Sequence, residues 1–236
     1  MPEAIIITPV KDSLNTTRLT IQAISESKGD FEYYVFNDFS LPETKNFLER
    51  AKDEFHFNLI HLEEITTNPS PNYKLVLQTA QKIAIDKKCP LIIIESDVII
   101  KPDTIQQLIQ ILKSNSDCGI AGAITVDGAG NYNFPYTFEQ IKSNDVINTS
   151  HSLSFCCTLI SFDLLTNFDF KNLSGKKDWF DVYISRQSKK LGFSNYLAKG
   201  VEVLHLPHSS RPWKNLKYKN PILYYLKKYF YKRDRI

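Results

Sequence analysis

The sequence predicts an α/β fold with a mostly parallel sheet flanked by helices. Short β-branched or aromatic runs alternate with amphipathic helical segments as far as Val126, the pattern of a β-α-β-α-β-α-β-α-β chain. Four of those runs are short and buried-looking, as strands covered on both faces are. Polar residues end the runs, and sheets of this kind bind ligands beyond the carboxyl ends of their strands.

The elements follow in order. Ala4–Thr8 is a short β-branched strand, and Asn15–Ser27, with Leu19, Ile21, Ala23 and Ile24, is an amphipathic helix capped near Asn15. Phe31–Phe36 is an aromatic, β-rich strand. Ser40-Leu41-Pro42-Glu43 opens the next helix, with Ser40 as cap, Pro42 in the first turn and Glu43 at capping-box spacing. Phe57–Leu62 is a third strand and Asn72–Lys87 a helix with Leu75, Ala80, Ile83 and Ala84 near one stripe. Pro90–Glu95 is the most hydrophobic strand, Pro102–Lys113 a helix with Ile105, Leu108, Ile109 and Leu112 on one face, and Cys118–Val126 a strand. Beyond a turn at Asp127-Gly-Ala-Gly-Asn the pattern changes. Residues 131–150 are polar and irregular, Ser154–Ile160 reads as a strand, and Asp178–Leu191 as a helix stopped by Gly192. Two short strands follow, near Phe193–Leu197 and Val201–Leu204.

The 236 residues suffice for a core that needs no staples, and 42% apolar with 23% charged residues excludes wholesale disorder, collagen and a disulfide scaffold. The net charge of +3 is uneven: residues 211–236 hold nine Lys/Arg and one acid, against 20 basic and 25 acidic residues before them. Two parts are therefore expected, a body over 1–210 and a basic aromatic tail over 211–236. Cys89, Cys118, Cys156 and Cys157 show no zinc-ligand spacing and read as reduced core residues of a cytoplasmic protein. The start lacks the basic region and long apolar stretch of a signal peptide, and no apolar run approaches the roughly 20 residues of a membrane span.

Chemistry is sought at the strand ends. The second strand leads into Asn37-Asp38-Phe39-Ser40, and the fourth into Glu95-Ser96-Asp97. Period-two alternation would put Glu95 and Asp97 on one side. Two carboxylates held together repel unless a cation joins them or one keeps a proton. A hard divalent ion with open positions for phosphate oxygens, Mg²⁺ or Mn²⁺, suits that arrangement. The plainer alternative is that both acids solvate a turn and cap the helix at Pro102.

With these residues in view, the chain resembles the GT-A glycosyltransferases of family 2, over about residues 5–210. Ile6-Ile7-Thr8-Pro9-Val10 resembles the family's first strand and loop, and Phe36-Asn37-Asp38-Phe39-Ser40 its base-binding V-D-D-G-S. Pro71-Asn72-Tyr73 sits where an Asn-rich loop precedes the third helix, and Glu95-Ser96-Asp97 at the D-x-D position. Trp179-Phe180-Asp181-Val182 with Leu191-Gly192-Phe193 resembles the E-D segment and its helix end; Val203-Leu204-His205 with Ser209 resembles the late v-x-H-x-x-x-S element. Asn37 stands in place of the first Asp of the base-binding pair, Glu95 in place of the first Asp of D-x-D, and Phe180 in place of the Glu of the E-D pair.

The resemblance implies a Rossmann-like GT-A domain, followed by a C-terminal helix, and a metal-dependent, inverting sugar transfer from a nucleoside diphosphate sugar to an acceptor hydroxyl. Glu95, Asp97 and His205 would hold the metal. Thr8, Pro9, Asp12, Asn37, Asp38, Asn72, Ser96 and Asp97 would hold the nucleotide sugar. Asp181 would be the general base, with Asp178, three residues earlier, as the other candidate. A glycan or lipid-linked acceptor in bacterial surface glycan synthesis completes the expectation. A zinc reading of His205-x-x-His208 finds no Cys or Glu at suitable spacing.

In the tail, Ile222, Tyr225, Leu226, Tyr229 and Phe230 recur near helical spacing among basic residues. This predicts a basic amphipathic helix that either docks on an anionic membrane surface or packs on the body. Nucleic acid fits the tail but not the acidic body. Two other classes were weighed. A nucleotidyltransferase needs a Gly-rich basic loop after the first strand, where Pro9-Val-Lys-Asp-Ser-Leu-Asn stands. A degenerate, non-enzymatic binding module is motivated by Asn37, Glu95 and Phe180.

Overall fold

The computed structural model describes residues 1–136, 143–173 and 179–207, together with Ile222, Leu223, Tyr225 and Leu226. In chain order the elements are β1 (Ala4–Val10), α1 (Leu14–Ser25), β2 (Phe31–Asn37), α2 (Pro42–Glu54), β3 (Asn58–His61), α3 (Tyr73–Lys87), β4 (Leu91–Ile94), β5 (Val98–Ile99) and α4 (Thr104–Ser114). They continue with β6 (Cys118–Val126), β7 (Val146–Asn148), β8 (Cys157–Ile160), α5 (Phe162–Asn167), α6 (Phe180–Lys190) and β9 (Ser194–His205).

One sheet takes the order β3-β2-β1-β4-β8-β6-β9-β5, with β7 also paired to β9. The β3-β2-β1-β4 part is parallel throughout, as the alternating sequence requires. β8 then inserts antiparallel between β4 and β6, and β6 pairs β9 in parallel. Each β1 side chain chooses a face by period two. Ala4, Ile6 and Val10 pack with Ile21 and Ile24 of α1, Leu48 of α2 and Leu108 of α4. Ile5 and Ile7 pack with Leu77 and Ala80 of α3, Leu164 of α5 and Ile184 of α6. The result is three layers, helix–sheet–helix, with buried strands at the centre.

Several expected boundaries move for physical reasons. Ser40 does not cap α2; its Oγ accepts from the Asp12 backbone N–H at 2.9 Å, while Asp12 Oδ1 accepts from the N–H of Leu41 at 2.7 Å. Asn15 does not cap α1, which begins at Leu14 after Asp12 and Ser13, both with φ of 56°. The two strands expected around 193–204 are one strand, β9. Its register against β6 jumps from Ala123↔Ala198 to Ile124↔Glu202, so Gly200 sits in a bulge rather than a turn. A Cβ at Gly200 would stand 3.1 Å from Asn144 Cα, which explains the glycine. The strand expected over Ser154–Ile160 shortens to Cys157–Ile160. β5, β7 and α5 are too short for a period to show in sequence.

Of the C-terminal helix, Ile222, Leu223, Tyr225 and Leu226 are helical and exposed; the remainder of 211–236, and the boundary expected at residue 210, lie outside the described residues. Among the described residues no helix is long and apolar enough to cross a membrane.

The buried amide of Gln81 ties α3 to α5 and the turn after it. Nε2 donates to the carbonyls of Leu165 at 2.8 Å and Phe168 at 2.7 Å, and Oε1 accepts from the Phe170 N–H at 2.8 Å. Gln81→Ala strands three buried backbone groups and is expected to cost about 3 kcal/mol in urea denaturation; a loss below about 1 kcal/mol would show that the clamp is dispensable.

Candidate functional site

The carboxyl ends of β1, β2 and β4 and the end of β9 meet at one rim. β4 stops at Ile94 because the chain turns at once: the Val98 N–H donates to the Glu95 carbonyl at 3.1 Å. Glu95 and Asp97 are therefore brought together by a turn, and not by strand alternation as expected. β5 then pairs antiparallel with the end of β9, setting Val98 opposite His205, and the Leu206 N–H donates to the Asp97 carbonyl at 2.8 Å. This pairing delivers His205 to the acids, with Nε2 3.6 Å from Asp97 Oδ2. Asp97 is fully buried, Ser96 nearly so, and Glu95 half-buried.

His205 is fixed from its other side. Nδ1 donates to the Phe134 carbonyl at 2.8 Å, and Asn133 Nδ2 donates to the His205 carbonyl at 3.1 Å. The loop that supplies them is pinned to β6, where Thr125 Oγ1 donates to the carbonyls of Asn133 and Phe134. Burial works against a charged imidazole here, but Asp97 and Glu95 outweigh it and raise the His205 pKa above its ordinary value.

A thiol belongs to the same cluster, which sequence reading assigned to the core. The Glu95 N–H donates to the Cys156 carbonyl at 2.9 Å, and Cys156 Sγ lies 3.6 Å from Glu95 Oε2 and 3.2 Å from Ser154 Oγ. Burial, and then the charge of Glu95, push the thiol well above its ordinary pKa. One donor atom each from Glu95, Cys156 and His205 lie within 4.8 Å of one another. Nothing in the spacing of Cys156 announces this, because β8 reaches β4 only by inserting antiparallel.

The end of β2 does different work. Asn37 is fully buried: Nδ2 donates to His61 Nδ1 at 2.8 Å, and Oδ1 accepts from the Ser40 N–H at 3.2 Å. With Nδ1 accepting, His61 Nε2 carries the proton and donates to Glu49 Oε1 at 2.8 Å. Asp38 holds the loop before α3: Oδ2 accepts from Ser70 Oγ at 2.7 Å and the Asn72 N–H at 2.9 Å, and Oδ1 from Asn72 Nδ2 at 2.8 Å. Asn72 thus turns inward to Asp38. Asp12, as above, joins the β1 and β2 loops, and Lys11 Nζ donates to the Phe39 carbonyl. Pro9 stays partly exposed. Thr8 does not reach the rim: its side chain is fully buried and its hydroxyl accepts from Tyr33 at 2.9 Å, on the α1–α2 face. The alternation of β1 dictates this.

Asp181 stands in the first turn of α6, partly exposed, with Oδ1 accepting from the Val182 N–H at 2.8 Å. An acid is favoured there by the helix dipole. α6 is anchored toward Cys156: Ser185 Oγ accepts from the Leu153 N–H at 3.1 Å, and the next residue's N–H donates to buried Tyr136 at 3.0 Å. Burial first, then Cys156 and more weakly Asp181, push the Tyr136 phenol up. Phe180, in the place of an acid, packs on Tyr73 with ring centroids 6.2 Å apart. Asp178, His208, Ser209, Arg211 and Lys214 lie outside the described residues.

The donor set fits a divalent cation. Two carboxylates and an imidazole are ligands of Mn²⁺ and Mg²⁺ sites, and His205 Nδ1, bound to a carbonyl, leaves Nε2 for the metal. Ser70 and Asn133 are supporting residues that sequence reading missed, and Cys156, which it read as a core residue, joins them; each acts through contacts between segments distant in the chain.

The glycosyl transferase family 2 model matches residues 5–168. Among solved structures, a mannosyltransferase from Pyrobaculum calidifontis in complex with GDP-Man and Mn²⁺ is similar with a TM-score of 0.67 at 12% identity, covering 100% of this chain and 65% of that one. S. aureus TarS 1-349 in complex with UDP-GlcNAc gives 0.65 at 13% identity, covering 88% and 59%; without the ligand, it gives 0.64 at 12%, covering 86% and 60%. The present chain thus spans about 60% of the length of these structures. No curated protein sequence matches.

With cations chelated, His205 is expected to titrate above 6.5. Its folded pKa exceeds the unfolded one, so its contribution to stability is complete below about 6.5 and lost as pH rises through the folded value. Asp97→Asn removes the closest charge and should lower the His205 pKa in an NMR titration; an unmoved pKa would refute the pairing.

Proposed function

The chain belongs to glycosyl transferase family 2, and on that premise we propose that it moves a sugar from a nucleoside diphosphate sugar to an acceptor hydroxyl, assisted by Mn²⁺ or Mg²⁺ and with inversion at the anomeric carbon. The observation that carries the reading is the convergence of Glu95, Asp97 and His205 at the ends of β4 and β9. The nucleotide sugars GDP-Man and UDP-GlcNAc in the similar structures support the donor class, and the Mn²⁺ in one of them supports the cation.

In this reading Glu95, Asp97 and His205 hold the cation, which when bound neutralises charge developing on the leaving diphosphate. The base lies against Pro9 and the loop at Asn72. Asn37, Asp38 and Asp12 shape that floor through the bonds described above, and Ser96 lines the turn. Asp181 takes the proton of the acceptor hydroxyl as its oxygen attacks the anomeric carbon opposite the leaving group, which inverts the centre. Asp178 is the other candidate for that proton. Cys156, Ser154 and Tyr136 keep the cation side of the cleft dry, which strengthens every charge interaction within it.

The acceptor in this proposal is a glycan or lipid-linked glycan of the bacterial surface, modified on the cytoplasmic side. The basic aromatic tail suits an anionic membrane surface there, and exposed Ile222, Leu223, Tyr225 and Leu226 would face it.

A thermal-shift series with UDP and GDP, each with Mn²⁺, tests the donor site. A nucleotide at a hundred times its Kd adds about 2.7 kcal/mol, or roughly 5–10 °C for a chain of this size. The shift should require Mn²⁺ and vanish in Asp97→Ala; no shift with either nucleotide would remove the reading. Asp181→Asn is expected to keep the shift and lower kcat by about 10²- to 10⁴-fold. A wild type that binds nucleotide but turns over no donor would favour a binding module instead.

A further inference from the structure

The proposed reaction makes no use of the Cys156 sulfur as a ligand, yet that sulfur lies inside the carboxylate–imidazole cluster. The pairing of β4 with β8 sets it there, with the Glu95 N–H on the Cys156 carbonyl and Sγ 3.6 Å from Glu95 Oε2. One donor atom each from Glu95, Cys156 and His205 fall within 4.8 Å of one another, and Asp97 Oδ2 is 3.6 Å from His205 Nε2. Tetrahedral zinc has bonds of about 2.3 Å to sulfur and about 2.0–2.2 Å to nitrogen or oxygen, so its ligand atoms stand roughly 3.4–3.6 Å apart. The Sγ–Oε2 and Nε2–Oδ2 separations already have that length.

We propose that this cluster is also a site for a thiophilic divalent cation, Zn²⁺ by class, with Cys156, Glu95 and His205 as ligands and Asp97 closing the shell. On binding, the Cys156 S–H bond breaks and a metal–thiolate bond forms, the Nε2–H bond of any protonated His205 gives way to a metal–nitrogen bond, and the released protons leave to solvent. Mn²⁺ and Mg²⁺ favour oxygen and nitrogen and leave the thiol aside, keeping positions open for phosphate oxygens. Zn²⁺ binds mixed N/S/O sites more tightly than Mn²⁺, and four protein ligands leave it none to offer a diphosphate. Cys156 therefore sets which metal the cleft accepts, and Zn²⁺ shuts it. The sulfur comes from the residue that leads into β8, the strand beside β4, where no sequence spacing from His205 could show it.

The inference shares its cation pocket with the proposed function, so the test uses no nucleotide or sugar. X-ray absorption of the zinc-loaded wild type should show one sulfur neighbour at about 2.3 Å among lighter ligands. Cd²⁺ should produce a thiolate charge-transfer band in the wild type and in Cys157→Ser, and none in Cys156→Ser. The ratio of Zn²⁺ to Mn²⁺ affinity should fall about 10- to 100-fold in Cys156→Ser. A zinc-loaded wild type with no sulfur neighbour, or a Cd²⁺ band that survives Cys156→Ser, overturns the proposal. A sulfur neighbour without nucleotide binding would sink the transferase reading alone; Mn²⁺-dependent nucleotide binding without a sulfur neighbour would sink this one alone.

Discussion

Glu95 and Asp97 bring two acidic groups to the end of a fully buried strand, Asp97 wholly out of water, and the fold must balance them. Burying a lone carboxylate is expensive enough that the group would sooner keep its proton. Here the balance comes from His205, which Asp97 and Glu95 hold toward its charged form. Everything that positions His205 serves that pairing: the bulge in β9, the short ladder with β5, and the carbonyl of Phe134 on Nδ1. The proposed cation takes over the same task, with His205 as a neutral ligand.

The other half of the rim is organised by hydrogen bonds instead of charge pairs. Asp38 gathers three donors from Ser70 and Asn72. Asp12 joins the β1 and β2 loops, its N–H donating to Ser40 Oγ and its Oδ1 accepting from the Leu41 N–H. Asn37 locks the tautomer of His61, which in turn reaches Glu49. Under the proposed function, a floor built this way would be set before the nucleotide sugar arrives, so binding would cost little ordering entropy. It also explains an amide at position 37: Asn37 donates to one neighbour and accepts from another, which a carboxylate cannot do.

Cys156 joins the two sides of the cleft. Its carbonyl receives the Glu95 N–H, and the segment leading into β8 is tied to α6 through Leu153 and Ser185. A contiguous run of bonds thus links α6, where Asp181 sits, to the acids beyond β4. The same segment contributes the sulfur that would distinguish one divalent ion from another.

The parallel β3-β2-β1-β4 half was legible in the sequence, since period and apolar runs are local properties; the helix stripes were legible only in part, because α1 leaves Leu19 exposed and α3 buries Val76, Leu77 and Gln81 while Leu75 and Ile83 stay half-buried. The Glu95/Asp97 pair and the strand-end position of His205 were legible for the same reason. Strand alternation gave the wrong cause for the acid pair, because a turn begins at Glu95, whereas the same alternation in β1 faces Thr8 inward, away from the nucleotide-sugar role the resemblance implied. Only the tertiary structure decided that β8 inserts antiparallel beside β4, that β5 docks on β9, and therefore that Cys156 and His205 meet Glu95. Those contacts join segments far apart in the chain, and their choice rests on packing against the whole sheet, which no local pattern encodes.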